Sequence, residues 1–194
     1  MSFIKYCIYF LLLLLAACGS VPEKGNTAAS TRIKQPIPAG ADQQYQQVLQ
    51  AIDQQDWVSA VDRLTAMQTQ YPQLASVSST LGWVHWQQGD SDKAQAVLEP
   101  LIGNETLFKP DAYMSLALIY REQGLFKKAE GLYAQAITIW PNDVNLHINA
   151  GILQDLYLGQ FNEALAYYKQ AQAMSTQRNR ALEGWIKDLE RRVQ

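Results

Sequence analysis

Residues 110–143 read PDAYMSLALIYREQGLFKKAEGLYAQAITIWPND, and their spacing predicts two helices folded back on each other around Gly124. Tyr113, Leu116, Ala117 and Tyr120 fall on one helical face before the glycine. Ala129, Tyr133 and Ala136 do the same after it. Ala117 and Ala129 are small where paired helices must approach closely, and Tyr120 and Tyr133 are large enough to fill the space between neighbouring pairs. A left-handed residue at the end of the first helix is cheap only for glycine, which suits Gly124. Pro141 stops the second helix.

The same columns recur along the chain at a period of about 35 residues. Ala60, Ala94, Ala129 and Ala164 form one column, each followed two turns later by Met67, Leu101, Ala136 and Ala171. Leu64, Leu98, Tyr133 and Tyr168 form another. Gly89, Gly124 and Gly159 mark the turns, with Gln55 in the earlier equivalent position. Trp57, Phe126 and Phe161 open the second helices, where Ser91 substitutes in one unit.

These residues resemble the tetratricopeptide repeat, a helix–turn–helix unit. The resemblance implies an all-α, right-handed superhelical solenoid of about four helix pairs, over residues 41–74, 75–109, 110–143 and 144–175. Three departures carry expectations of their own. Val48 occupies a small-residue column and Gln55 the glycine column of the first unit. Pro100 falls inside the second helix of the second unit and should end it early. One extra residue between Gly151 and Gly159 predicts a bulge, or a longer first helix, over residues 153–158.

Beyond the last unit, residues 176–194 place Leu182, Trp185, Ile186, Leu189 and Val193 on one helical face and charges on the other. A solenoid end exposes apolar surface, so a capping helix with a polar outer face is expected. A docking helix for another protein is the alternative.

The opposite end carries an address. Lys5 precedes an apolar run over residues 7–17, too short to span a bilayer, so residues 1–17 read as a secretory signal peptide. Leu15-Ala16-Ala17-Cys18 resembles the lipobox of bacterial lipoproteins. By that resemblance Cys18 carries a covalent lipid, and Gly19 and Ser20 after it imply anchoring in the outer membrane of a Gram-negative cell; the domain is expected in the periplasm, with exposure at the cell surface as the alternative. Residues 18–40, interrupted by Pro22, Pro36 and Pro38, read as a flexible tether that reaches about 75 Å when extended. Cys7 leaves with the signal and Cys18 takes the lipid, so no disulfide and no thiol catalyst is expected.

A net charge of -2 and a pI near 5.7 argue against nucleic acid. His85 and His147 fall in different units without an accompanying nucleophile, and Asp53, Asp56, Asp90 and Asp92 sit at helix turns, where aspartate caps. No phosphate loop and no zinc-ligand spacing occurs. Neither an enzyme nor a cofactor is expected, apart from the lipid on Cys18.

Binding is the better expectation. In the family that the repeats resemble, the first helix of each unit lines a concave face. Carried over position by position, that face takes Tyr45, Leu49 and Ile52 from the first unit, Trp83 and Trp86 from the second, Met114, Leu118, Arg121 and Glu122 from the third, and Ile148 and Ile152 from the fourth. The alternative places Trp83 and Trp86, which share one helix face, in the core. A lone Arg121 does not make the basic clamp by which chaperone-binding relatives hold a C-terminal carboxylate, so a peptide segment or helix with apolar side chains fits the groove better. The resemblance extends to tetratricopeptide lipoproteins that act as pilotins in type IV pilus assembly or recruit cell-wall hydrolases. It implies an outer-membrane-anchored periplasmic scaffold that holds a protein partner. An accessory of a TonB-type transport system and an envelope enzyme are the alternatives.

Overall fold

The computed structural model describes residues 37–103 and 110–194, and the described residues form nine α-helices and no strand. The expected signal peptide, Cys18 and the tether as far as residue 36 lie outside them. Helices α1 (Ala41–Asp53) and α2 (Trp57–Gln70) form the first pair; α3 (Ala75–Gln87) and α4 (Ser91–Leu98) form the second. Helices α5 (Asp111–Glu122) and α6 (Phe126–Ile139) form the third, and α7 (Val144–Ile152) and α8 (Phe161–Met174) the fourth. Helix α9 (Arg180–Arg192) follows them.

One turn design closes the first helix of three units. The amide of the residue beginning the return bonds to a carbonyl one turn and a half earlier: Asp56 to Ala51 at 2.9 Å, Asp90 to His85 at 2.9 Å, Leu125 to Tyr120 at 2.8 Å. The preceding residue must be left-handed for this bond to form. Gly89 and Gly124 take φ of 81° and 75° without strain, whereas Gln55 is held at φ 55° despite its side chain. Asp56 and Asp90 then cap the second helices, accepting from the amides of Ser59 and Lys93. Asp53 ends α1 and Asp92 lies in the first turn of α4; neither caps.

Pro100 acts as its chemistry requires. Helix α4 stops at Leu98, a 3₁₀ turn covers Glu99–Leu101, and Ile102 is extended. In the fourth unit the extra residue is absorbed as a π-helical turn, Leu153–Leu158, which ends at left-handed Gly159. The closing bond there runs from the Gln160 amide to the Gln154 carbonyl at 2.8 Å, one residue longer than in the other units.

The core is layered rather than central. Ala60, Ala94, Ala129 and Ala164 are fully buried, as are Leu64, Leu98, Tyr133 and Tyr168 in the next column. Buried residues group into three clusters, one around α1, α2 and α3, one from Ala75 at the start of α3 and then α4 to α7 and Leu153, and one joining α8 to α9. Gly82 and Gly151 show why their column is small: a Cβ on either would strike the side chain of Leu98 or Tyr168. Helix α9 buries Leu182, Ile186 and Leu189 at the end of the stack, with the Trp185 ring 5.4 Å from that of Tyr168. Asn179 caps it, and Lys169 of α8 reaches Glu190 at 2.7 Å. Its opposite face presents Lys187, Asp188 and Arg191 to solvent.

Candidate partner-binding face

The first helices meet one another along one side of the solenoid. Tyr45 of α1 shares a hydrogen bond of 2.7 Å with the Thr80 hydroxyl of α3. Trp86 of α3 donates its indole N–H to the Glu122 carboxylate of α5 at 2.7 Å. The Arg121 guanidinium of α5 stacks over the Tyr157 ring at 5.1 Å. Asp155 in the π turn accepts from Arg192 of α9 at 3.3 Å. These contacts make a ladder with one rung between successive units, and the last rung ties α9 into the series as if it were the first helix of a further unit.

The expected groove residues fall on or beside this ladder, and none of them is fully buried. Tyr45, Ile52 and Trp83 pack one side against the first cluster, and Trp86 and Met114 pack against the middle one. Ile148 and Ile152 rest on the last cluster, while Leu118 and Arg121 are half-buried and Leu49 is exposed. Trp83 and Trp86 therefore have one face in each environment: Trp83 meets Trp57 edge-on at 6.1 Å, yet both rings keep solvent-accessible surface. Neither of the two readings of these tryptophans describes them alone.

Electrostatics of the face follow from its neighbours. Burial raises the Tyr45 pKa, its bond to Thr80 opposes that, and the charge of Asp111 on α5 raises it further. A residue of the first unit thus senses a residue of the third across the second. The cation on Arg121 is shared with Tyr157, and such a stack contributes roughly 0.5–1 kcal/mol when exposed. Burial pushes the nearby Tyr133 hydroxyl up despite the opposing charge of Arg121.

Residue spacing does not point to Tyr157 and Leu156. Both are exposed, at 40% and 68%, and both sit on the π turn. The extra residue shifts the register beyond Gly151, so counting positions from the start of the unit passes over them. Following the bulge through to Gly159 is the signal that finds Tyr157. On the other side of the fourth unit, Ile137, Pro141, His147 and Met174 line a shallow depression. His147 is buried there and its Nε2 lies 2.8 Å from the Pro141 carbonyl oxygen, so its position is structural. Among the described residues no group of His, Cys, Asp and Glu is arranged to hold a metal ion.

Four helix pairs, a repeated left-handed turn and a buried alanine column are the marks of one repeat architecture. The fold is a tetratricopeptide solenoid. Residues 79–144 match the tetratricopeptide repeat family. A thermophilic TPR protein of Thermus thermophilus is similar in structure, with a TM-score of 0.63 and 19% identity over 78% of this chain and 82% of that one. The pilF protein of Pseudomonas aeruginosa shares the fold at a TM-score of 0.67, with 15% identity over 78% of this chain and 68% of that one. A tetratricopeptide repeat protein of Parabacteroides merdae matches at 0.60, with 19% identity over 78% of this chain and 60% of its own. No curated protein sequence matches the chain. Tetratricopeptide repeats are in general non-catalytic scaffolds for protein–protein interaction.

Proposed function

We propose that the protein is an outer-membrane-anchored periplasmic adaptor that holds a protein partner against its first-helix face and assists assembly of an envelope complex such as a type IV pilus. The observation that carries the binding role is the half-buried row Tyr45, Trp83, Trp86 and Leu118, in which Tyr45 and Trp86 are fixed by inter-unit hydrogen bonds while all four keep solvent-accessible surface. Rigid aromatic side chains anchored at their base lose little entropy on binding, and truncating such anchors at interfaces commonly costs about 2 kcal/mol or more. The lipobox-like Leu15-Ala16-Ala17-Cys18 supports the anchor. The fold shared with the pilF protein of P. aeruginosa supports the pilus reading.

The binding role is tested with Trp83→Ala/Trp86→Ala and a photo-crosslinker at Leu118, in native membranes. Crosslinked protein should fall by about thirtyfold relative to the parent at limiting partner. A double variant that keeps its helical circular dichroism and every crosslink overturns the reading. The anchor is tested separately by palmitate labelling. Label should disappear in Cys18→Ser and the protein should move to the soluble fraction; a labelled variant sinks the lipid assignment.

A further inference from the structure

Charge is divided unevenly between the two layers of the solenoid. Lys93, Lys127, Lys128 and Lys169 all lie on second helices, in α4, α6 and α8. The first helices of the four units, α1, α3, α5 and α7, with the π turn, contain no lysine, and Arg121 is their single guanidinium; α9, beyond them, carries Arg180, Lys187, Arg191 and Arg192 beside Glu183, Asp188 and Glu190. Against it stand Asp42, Asp53, Asp111, Glu122 and Asp155. Arg121 is engaged with Tyr157, and Asp155 with Arg192. Asp42, Asp53 and Glu122 make no ion pair among the described residues. Lysines of the second helices do pair, Lys93 with Asp90 and Lys127 with Glu130, so the acidic excess belongs to the first helices of the four units.

At the middle of that face the negative charge sits against an aromatic ring. Glu122 is exposed and uses Oε2 to accept the Trp86 N–H at 2.7 Å, which leaves Oε1 unused beside the indole. A guanidinium or ammonium laid on the indole face meets the ring quadrupole and a carboxylate oxygen together, two attractions that add in a partly desolvated site. Trp83, one turn away on the same side of α3, offers apolar area for the stem of such a side chain or for its neighbour. We infer that the first-helix face takes a basic segment of its protein partner, with arginine or lysine alternating with apolar residues, and that one basic side chain docks at Trp86 and Glu122.

This inference rests on the adaptor reading, and the test separates the two. The purified full chain is titrated with three fluorescein-labelled peptides of equal length, in which leucine alternates with arginine, glutamine or glutamate. Glu122→Gln keeps an acceptor for the Trp86 N–H while removing the charge. The arginine peptide should bind about tenfold more tightly than the glutamine peptide, with the glutamate peptide weakest, and the difference should shrink as salt shortens the Debye length. Glu122→Gln should weaken the arginine peptide by about threefold and leave the glutamine peptide unchanged. If arginine and glutamine peptides bind alike, and Trp83→Ala/Trp86→Ala weakens both, the face stands and its basic preference is overturned. If no peptide binds, or the tryptophan variant binds as the parent does, both readings fall.

Discussion

Gln55 and Gly124 occupy the same place in two units and show how much a single backbone angle is worth. Gln55 is held at φ 55°, where an L side chain is disfavoured by roughly 1–2 kcal/mol. Glycine removes that strain but adds freedom to the unfolded chain, which returns roughly 0.4–1 kcal/mol. Gln55→Gly should therefore stabilise the protein by about 0.5–1 kcal/mol, read as a higher urea midpoint with an unchanged slope. A lower midpoint shows that the Gln55 side chain makes a contribution its exposed position does not reveal. At Gly124 a Cβ meets nothing within 4 Å, so any loss in Gly124→Ala is conformational rather than steric.

At the scale of elements, the capping aspartates make helix stability depend on pH. Hydrogen bonding from Ser59, side chain first and amide second, holds the Asp56 carboxyl below the ordinary carboxylate range. Hydrogen bonding from Lys93 does the same for Asp90. A carboxyl with a depressed pKa in the folded state contributes stability that is complete above its unfolded pKa, near about 4, and that fades as pH falls through the folded value. Thermal midpoints should therefore drop below about pH 4, and Asp56→Asn/Asp90→Asn should flatten part of that drop. An acid limb of identical depth in the double variant means that other carboxylates govern it.

Elements also show where the sequence is legible and where it is not. The alanine column, the turn glycines and the early stop at Pro100 follow from spacing and from the geometry of single residue types. The fourth unit predicts its own irregularity, since an extra residue within a helix must appear somewhere. What spacing does not carry is the new phase after the π turn, which brings Tyr157 onto Arg121. The burial of Trp83 and Trp86 is equally hidden. Two tryptophans three residues apart define a helix face, but not which neighbours cover it; here Trp83 leans on Trp57 of α2 and Trp86 on α5.

For the whole molecule, three clusters in place of one core mean that stability is passed between neighbours. Each unit depends on those beside it, as in other solenoids. Helix α9 closes the last cluster through Leu182, Ile186 and Leu189. Ile186→Ala should cost about 2–4 kcal/mol locally. Amide exchange should then speed up in α8 and α9 well before it does in α1 and α2. A uniform change across all nine helices shows one cooperative unit instead, and removes the layered description.

The entry to the first unit has a mechanical consequence. Left-handed Gly40 leads into α1, and the Tyr71 hydroxyl at the end of α2 donates to the Ala39 carbonyl oxygen at 3.5 Å. Tension on the chain ahead of residue 37 thus enters the solenoid at one corner, where α1 and α2 are held together. The cluster behind that corner is distinct from the central one but runs on into α3 through Val77, Leu81 and Val84, so drawing α1 and α2 away uncovers α3 before it reaches the central cluster. Force applied at residue 37 against a held α9 is therefore expected to lengthen the molecule first by the span of one helix pair, making the first unit its most extensible link.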